Sequence, residues 1–457
     1  MDTTAIESAR ELARLIRTRD ISAREVMAAH LDRINRVNPK INAIVARLDD
    51  DACLALAEEA DRQLAGGTAI GPLHGLPFAF KDLEPAVGFP WTRGSRIFAH
   101  DMPAEDSALV ARLHRAGAVP IGKTNVPEFG MGSHTYNAVY GTTLNPFDVS
   151  KTAGGSSGGA AAAVASGMLA CADGSDLGGS LRNPGSFNNV VGFRPTFGLV
   201  PTAPSPMPTA GFAVKGPIAR TVADVAFLLG VMADLDFTSS LDRELGDVRI
   251  AWCPDLGGLP MDARVRDTIQ LQRSTFETLG CVVEDACPDL AVADDVFLTI
   301  RAWMSHYTHG PLVERHRDLM KPEALWEIER GARLTARDVA RAFAQHGELL
   351  EAVRRFHERY EFFVCTVNQV PPFDAAIDWP KEVAGVRMEH YVAWMKSTYW
   401  VSTLLGPAIA VPAGFTNDGL PVGIQIVGRR GDDAGVLQLA HAFEQATGFA
   451  RVRPRVT

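Results

Sequence analysis

The chain has 457 residues, of which 46% are hydrophobic and 22% charged, so it can bury a large core and is neither disordered nor fibrous. The net charge of −9, with no block of basic residues, argues against a nucleic-acid partner and against binding to an anionic membrane. No apolar run is long enough to span a bilayer and the start of the sequence lacks a secretory pattern, so we expect a cytoplasmic protein.

The six cysteines are scattered and form no Cys-x-x-Cys pair, so they indicate neither a zinc site nor a disulfide framework. We expect reduced thiols, most of them buried. Nothing else in the sequence predicts a metal or a cofactor. The cysteines are Cys53, Cys171, Cys253, Cys281, Cys287 and Cys365.

The first 65 residues have a helical pattern. A capping box begins at Ser22, where the serine and Glu25 would each satisfy a free backbone N–H group. The side chains that follow recur at helical spacing and predict one buried helix face. The residues expected on that face are Val26, Met27, His30, Leu31 and Ile34.

From residue 71 to about residue 229, short apolar runs alternate with glycine turns and short helices, which is typical of an α/β fold. Further along, residues 292–363 have a long helical pattern that predicts an insert or cap over the sheet. The other elements predicted after residue 240 are a strand at 248–252, a helix at 262–279 ended by Gly280, and strands at 281–283, 407–411 and 421–427, followed by a helix at 437–446.

Residues 117–124, GAVPIGKT, match the phosphate-loop pattern G-x-x-x-x-G-K-[ST]. Such a loop must follow a buried strand and open a helix. Here the order is reversed, because residues 106–116 have a helical pattern, Gly117 is expected to cap that helix, and residues 118–121 resemble a strand. We therefore interpret the match as a helix end and a strand, not as a nucleotide site.

Residues 154–158, GGSSG, match the nucleophile elbow G-x-S-x-G of α/β-hydrolases. The elbow requires an apolar strand directly before it and a histidine as the base. The preceding residues 143–153 are polar and turn-like, and no histidine, His441 included, has a distinctive setting. The match therefore does not identify Ser156 as an elbow nucleophile.

One lysine and two glycine-serine turns form a further candidate site. Lys81 ends the apolar segment 75–81, where burial can lower the lysine pKa toward neutrality and make the amine a base. Ser156 and Ser180 lie on glycine-rich turns, whose glycines let consecutive N–H groups converge on one point. The alternative is a surface lysine with two loop serines, and these residues alone do not decide between the two.

Around these residues the sequence closely resembles the amidase signature family of serine hydrolases. The resemblance extends over nearly the whole chain and is densest at residues 71–229 and 406–439. Two departures from the family pattern are Ala153 and residues 367–369, the second where we expect the substrate pocket. The segments that carry the resemblance are GPLHGLPFAFKD, GAVPIGKTNVPEFGMGS, NPFD, AGGSSGG, GSDLGGSLRNP, VGFRPTFGLVP, GPIARTVADVAFLL and PAIAVPAGF, followed by GLPVGIQIVG.

The resemblance implies a Ser-cisSer-Lys triad with Ser180 as the nucleophile and Lys81 as the base. Ser156 would be the bridging serine, joined to Gly155 by a cis peptide bond. The implied oxyanion hole consists of the N–H groups of Leu177, Gly178, Gly179 and Ser180. The expected supporting residues are Gly155, Ser157, Asp176 and Arg182.

The resemblance also implies a single amidase domain, residues 1–457, built around a large mixed β-sheet with α-helices on both faces. Its expected parts are N-terminal helices (1–65), a signature core (66–235), a helical cap that lines the substrate pocket (about 290–400), and C-terminal strands and a helix (401–457). Aromatic residues in and after the cap are candidates either for the core or for the pocket wall. They are Trp303, Tyr307, Trp326, Trp379, Tyr391, Trp394, Tyr399 and Trp400.

The expected function is hydrolysis of the C–N bond of small hydrophobic or aryl amides through an acyl-enzyme on Ser180, with esters and carbamates as related substrates. The expected partner is therefore a small-molecule amide. The sequence leaves the oligomeric state undecided, with a homodimer as one alternative. The alternative within the family is the glutamine-hydrolysing subunit of a tRNA-dependent amidotransferase, although no charged glutamine pocket is identifiable in the sequence. A non-catalytic binding protein on the same fold and a phosphate-loop NTPase are the alternatives from other classes.

Overall fold

The computed structural model describes residues 8–203, 205, 207–239 and 241–456. Among these residues, no helix is both long enough and apolar enough to cross a membrane. The helices are, in chain order, α1 (Ala9–Thr18), α2 (Ala23–Ile41), α3 (Asp50–Ala65), α4 (Ala108–Arg115), α5 (Gly158–Ala165), α6 (Arg182–Phe187), α7 (Val222–Ala233), α8 (Ala263–Gln270), α9 (Arg273–Thr278), α10 (Ala293–His316), α11 (Pro322–Ala332), α12 (Ala336–Phe356), α13 (Lys396–Ser402) and α14 (Asp433–Thr447).

The strands alternate with these helices along most of the chain. They are β1 (Ile44–Val45), β2 (Pro77–Lys81), β3 (Val119–Thr124), β4 (Tyr136–Asn137), β5 (Gly141–Thr142), β6 (Leu144–Asn145), β7 (Asp148–Thr152), β8 (Cys171–Asp176), β9 (Val191–Arg194), β10 (Val214–Ala219), β11 (Arg249–Trp252), β12 (Val282–Asp285), β13 (Phe362–Thr366), β14 (Glu382–Val383), β15 (Val386–Arg387), β16 (Ala408–Phe415) and β17 (Pro421–Gly428).

Eight strands form one mixed sheet, in the order β12-β11-β13-β17-β16-β9-β10-β8. Strand β11 runs parallel to β12 and β13, whereas the other neighbouring pairs are antiparallel. A second sheet of three strands, β1-β3-β2, pairs β2 with β3 in parallel. The prediction of an α/β fold around a large mixed sheet is confirmed.

Both faces of the large sheet pack against helices. Successive residues of β13 point to opposite faces, so Phe362 and Val364 join one hydrophobic core while Phe363 and Cys365 join another. The first core contains side chains of α2, α5, α7 and α14, and the second contains side chains of α12 and of the segment after α13. This arrangement explains why central strands such as β13 and β16 are apolar on both sides rather than alternating with polar residues.

The N-terminal prediction is confirmed at the capping box. The Ser22 side chain accepts from the Glu25 N–H group, and the Glu25 carboxylate accepts from the Ser22 N–H group. All five side chains expected on the buried face of α2 are buried. The phosphate-loop pattern is likewise resolved as a helix end and a strand, because Gly117 follows α4 with φ of +91° and residues 119–124 are β3.

Two predicted helices have different boundaries in the structure. The helix expected at residues 262–279 is divided into α8 and α9 by a turn around Leu271 and Gln272. The helical pattern at residues 292–363 is resolved into α10, α11 and α12, and its last two residues, Phe362 and Phe363, belong to β13. A strand that is buried on both faces of a sheet does not alternate apolar with polar residues. The start of β13 therefore could not be distinguished from the end of a helix, and the predicted helical segment was two residues too long.

The prediction of reduced cysteines is wrong for one pair. Cys253 and Cys287 form a disulfide, with their Cα atoms 5.2 Å apart. They follow the ends of the parallel neighbours β11 and β12, so the sheet brings together two residues that are 34 positions apart in the sequence. The other four cysteines are free and buried, as expected. The division of residues 1–457 into the parts of one domain stays a prediction.

Candidate active site

Lys81 lies at the end of β2, as predicted, and its side chain is fully buried. Its amine contacts three hydroxyl groups, with Nζ 2.9 Å from Ser156 Oγ, 2.7 Å from Ser157 Oγ and 2.9 Å from Ser175 Oγ. Burial, together with the positive charge of the nearby Lys215, lowers the pKa of Lys81 to about 7. A large fraction of this amine is therefore neutral near neutral pH.

The backbone of Lys81 is also held in place. Its N–H group donates to Asp173 Oδ1 at 3.0 Å, and Asp173 lies on β8 two residues before Ser175. Burial raises the pKa of the Asp173 carboxyl to about 6. Strand β8 therefore contacts both the main chain and the amine of Lys81.

Ser156 lies in the turn between β7 and α5, directly before the alanine-rich helix. The peptide bond between Gly155 and Ser156 is cis, as the resemblance implied. The Gly155 carbonyl accepts from Ser133 Oγ at 2.6 Å, and Ser156 is only 2% exposed. The preceding segment forms a short hairpin of β6 and β7 rather than a buried strand, so the nucleophile-elbow pattern is not matched by the structure.

Ser180 lies in the turn between β8 and α6 and is 8% exposed. Its carbonyl accepts from the Ser157 N–H group at 3.2 Å, which ties this turn to the Ser156 turn. Gly179 adopts φ of +115°, and a Cβ atom there would lie 2.3 Å from Thr398 Oγ1. Only glycine fits this position, because both the backbone angle and the close approach exclude a side chain.

The four predicted oxyanion-hole amides are not equivalent. The Gly179 N–H group donates to Asp176 Oδ1 at 2.8 Å and is therefore already used within the turn. Among the described residues, the N–H groups of Leu177, Gly178 and Ser180 have no protein acceptor. Three of the four predicted amides are therefore unpaired within the described part of the chain, and their role as an oxyanion hole stays a prediction.

Asp176 organises this turn from behind. Its carboxylate accepts from the Gly179 and Leu181 N–H groups and pairs with Arg182, whose Nε lies 3.0 Å from Oδ2. Arg194 Nη1 lies 3.2 Å from Oδ1 on the other side. Burial alone would raise the pKa of the Asp176 carboxyl, but the two guanidinium groups hold it below its ordinary value. Asp176 and Arg182 are both fully buried, and their supporting role stays a prediction.

Ser156, Ser175 and Ser180 open into a cavity of about 370 Å³. One wall is a single face of α10. The loop of residues 129–132 lines the cavity beside this helix, with the Phe129 ring stacked on His309 at a centroid distance of 4.6 Å. The residues of α10 that line the cavity are Phe297, Arg301, Met304, Ser305, Thr308 and His309. The other apolar side chains in the lining are those of Leu83, Met131, Leu177, Ala213, Val214 and Met395.

None of the eight aromatic residues considered as pocket candidates lines this cavity. Trp394 and Tyr399 are core residues, being 1% and 0% exposed, whereas Tyr307 is exposed to solvent on α10. The departure at residues 367–369 also lies outside the lining: Asn368 donates to Asn183, and Gln369 accepts from the Lys396 N–H group. For the aromatic residues, the core alternative therefore fits this cavity better than the pocket alternative. Residues 367–369, which we expected at the substrate pocket, contact the turn at Asn183 and the start of α13 instead.

Sequence reasoning missed three polar residues of the site, namely Asp173, Ser175 and Lys215. Ser175 could have been found, because it lies on the same glycine-serine segment as Ser180. Lys215 interrupts the otherwise apolar strand β10, and Asp173 is a charged residue within the buried strand β8; a charge in either setting is a signal for a paired or functional group. His441, in contrast, lies 3.9 Å from Asp242 and does not line the cavity.

Comparison with known proteins gives a consistent result. The family model for amidases matches residues 25–437. An acylamidase from Rhodococcus erythropolis is 36% identical, over 98% of this chain and 97% of the relative. One subunit of a glutamyl-tRNA(Gln) amidotransferase from Thermosynechococcus vestitus is 32% identical, over 98% of this chain and 99% of the relative.

Among solved structures, a bacterial aryl acylamidase of the amidase signature enzymes superposes with a TM-score of 0.90. It is 27% identical in sequence, and the match covers 97% of each chain. Fold, sequence and family model agree over almost the full length. The chain belongs to the amidase family of amide-hydrolysing enzymes.

Proposed function

We propose that this chain hydrolyses small hydrophobic or aryl amides through a covalent acyl-enzyme on Ser180. The observation that carries the proposal is the buried Lys81 amine, held 2.9 Å from Ser156 Oγ beside a cavity that Ser180 also lines. The similarity to an acylamidase and to an aryl acylamidase supports the choice of substrate class.

In the proposed mechanism, neutral Lys81 is the base. A serine hydroxyl is a poor nucleophile at neutral pH and must lose its proton as it attacks the carbonyl carbon. Ser156 passes the proton of Ser180 to the Lys81 amine, since one hydroxyl can accept and donate at the same time. The contacts of Ser157 and Ser175 with Nζ orient the amine for this transfer.

The tetrahedral intermediate has an oxyanion, for which the N–H groups of Leu177, Gly178 and Ser180 are the proposed donors. Loss of one such donor typically raises the barrier by about 2.7–4 kcal/mol. Asp176 contributes indirectly, because it holds the turn through the Gly179 and Leu181 N–H groups. Collapse of the intermediate breaks the C–N bond as Ser156 returns the proton to the leaving nitrogen. Water then attacks the acyl-enzyme by the same route and releases the acid.

The lining of the cavity supports a substrate with an apolar acyl or aryl group. A cavity of about 370 Å³ is at the small end of the usual range for ligand pockets, so it suits a small substrate. The same acyl-transfer groups would act on esters and carbamates, whose carbonyl carbons pass through equivalent tetrahedral intermediates.

A hydrolysis screen tests the proposal. The purified protein should release amine from acetanilide or a longer-chain anilide. Ser180→Ala should abolish turnover, and Lys81→Ala and Ser156→Ala should each lower kcat by several orders of magnitude. A fluorophosphonate probe should label the parent and not Ser180→Ala. Near-normal rates in folded Ser180→Ala would refute the nucleophile assignment.

The similarity to the amidotransferase chain gives a second candidate, hydrolysis of glutamine. Glutamine in the same screen separates the two functions. Rapid release of ammonia from glutamine, with no turnover of anilides, would favour the amidotransferase function.

As further parts of this proposal, we expect a cytoplasmic enzyme whose partner is a small-molecule amide and not a nucleic acid. Cell fractionation tests the location, and light scattering on the purified chain distinguishes a monomer from a homodimer. A shift in electrophoretic mobility with tRNA would contradict the expected lack of a nucleic-acid partner.

A further inference from the structure

Lys215 is a cation in the cavity wall to which the proposed mechanism gives no chemical step. It lies on β10, directly across from Ser175 on β8, so the two side chains leave the same face of the sheet. Ser175 Oγ is 2.9 Å from Lys81 Nζ, and both Ser175 and Lys215 line the cavity. The Lys215 side chain therefore begins beside the candidate triad.

The Lys215 ammonium is held in place from behind. Its partner is the Glu84 carboxylate, which is 3% exposed and does not line the cavity. Glu84 is itself fixed, because its N–H group donates to the Lys81 carbonyl at 2.8 Å and its own carbonyl accepts from Lys123 Nζ. Among the described residues, no second acceptor contacts the Lys215 ammonium, whose side chain is 18% exposed. Two of its three N–H groups are therefore available to a ligand.

The charges that line the cavity all have one sign. Arg301 on α10 is the other cation in the lining, and it is fixed by Glu327 at 3.3 Å and by Tyr391 Oη at 2.6 Å. No aspartate or glutamate is among the described residues of the lining. An anionic group in the cavity would therefore meet two immobilised cations and no carboxylate, whereas a substrate ammonium group would be disfavoured.

We propose that the Lys215 ammonium anchors the substrate by binding a carboxylate that the amide carries close to its scissile carbonyl. This inference rests on the function proposed above. The preferred substrates are then amides with an apolar body and one acidic group, and not wholly neutral amides. The acidic group can belong to the acyl part or to the amine part. A charged hydrogen bond of this kind is short and directional, so it also fixes the position of the scissile bond.

Three anilides of similar size test this proposal. Butyranilide is neutral, succinanilic acid has a carboxylate on the acyl part, and 4-(butyrylamino)benzoate has one on the amine part. We expect the parent to hydrolyse one of the two acids with a kcat/KM at least about tenfold above that of butyranilide, as befits one charged hydrogen bond. The acid that is preferred identifies the part of the substrate that contacts Lys215.

The matched variants are Lys215→Met and Lys215→Arg. The ratio of kcat/KM for the preferred acid to that for butyranilide should fall to about one in Lys215→Met and persist in Lys215→Arg. Because Lys215→Met leaves Glu84 buried without its partner, the double variant Lys215→Met/Glu84→Gln provides a second test with both charges removed. Labelling of Ser180 by a fluorophosphonate verifies that each variant is folded.

Two outcomes would overturn the proposal. One is a parent that hydrolyses butyranilide at least as well as both acids. The other is a Lys215→Met protein in which the ratio of kcat/KM for the preferred acid to that for butyranilide is unchanged. This includes the case in which the substitution shifts the pH profile of kcat/KM equally for all three substrates. Serine-dependent turnover of butyranilide would still support the proposed function in either case, so failure of the anchor and failure of the amidase assignment are distinguishable.

Discussion

Three lysines lie around the candidate site, two of them fully buried and Lys215 partly buried, and they differ in their partners. Lys123 Nζ is 3.8 Å from a carboxylate oxygen of Asp82, and Lys215 pairs with Glu84. Lys81 Nζ contacts only hydroxyl groups and a carbonyl among the described residues. A buried amine without a carboxylate in contact is the one that loses its proton most easily, so this environment selects Lys81 as the base.

The pH dependence of kcat/KM tests the protonation state of Lys81. Burial and the charge of Lys215 lower the pKa of Lys81 to about 7, and only the neutral amine accepts a proton. We expect kcat/KM for a substrate with no titrating group to fall about tenfold per pH unit below pH 7 and to level off above it. Fluorophosphonate labelling of Ser180 should follow the same curve. A profile that rises only near the ordinary lysine pKa of 10.5 would contradict the prediction.

At the scale of elements, the turn from β8 to α6 forms the most constrained part of the site. Asp176 ends β8, binds two N–H groups of the turn and pairs with Arg182 at the start of α6. Gly179 adopts a positive φ, and its lack of a side chain lets the backbone pass close to Thr398. The direction of the Leu177, Gly178 and Ser180 amides therefore depends on the whole turn rather than on any one side chain.

Substitution of Gly179 by alanine tests this dependence. The new Cβ atom would lie 2.3 Å from Thr398 Oγ1, and alanine disfavours φ of +115°, so the turn must move. We expect kcat to fall by about 10² or more while KM changes little, since the amides act on the transition state. Gly257→Ala is the matched control, because Gly257 also has positive φ, +86°, but has open space around it.

A comparable loss of kcat in the control would mean that backbone angle and stability, and not the direction of the amides, explain the effect. The melting temperature of both variants should be measured beside the kinetics. We expect both to be somewhat less stable than the parent, because each forces alanine into the left-handed region.

Local features of the elements could be predicted from the sequence, whereas features that depend on tertiary neighbours could not. The Ser22 capping box and the strand that ends at Lys81 involve residues close in the chain, and both are confirmed. The Cys253–Cys287 pair and the α10 wall of the cavity depend on which elements become neighbours. The use of the Gly179 N–H group by Asp176 was missed for a similar reason, since it requires the actual shape of the turn.

At the scale of the whole molecule, a buried carboxyl group links two of the helices, α14 and α7, that pack on one face of the sheet. Glu444 on α14 accepts from the Val222 N–H group at the start of α7, at 2.9 Å, and is 7% exposed. Burial raises the pKa of Glu444 to about 7, although the bond from Val222 opposes this effect. The folded protein therefore binds this proton more tightly than the unfolded chain, where the pKa is near 4.5.

This difference predicts how Glu444 affects stability. A raised pKa favours the folded state below pH 4.5, and the favourable contribution is lost as the pH rises through about 7. Glu444→Gln keeps an oxygen that can accept from Val222 but cannot ionise. Above pH 7, the free energy of unfolding of Glu444→Gln should exceed that of the parent by on the order of 1–3 kcal/mol. Thermal melts at pH 5 and pH 8 measure this, and a difference as large at pH 5 as at pH 8 would contradict it.

The single helix that forms one wall of the cavity has a consequence for how such enzymes diversify. The groups assigned to the chemistry come from β2, β8 and the two glycine turns, whereas Phe297, Met304 and Thr308 come from one face of α10. Met304 and Thr308 lie on the α10 wall, so a substitution at either changes the shape of the cavity without replacing a residue of β2, β8 or the glycine turns. We therefore expect side chains at these two positions to influence which amide is recognised, with the lysine and both serines left in place.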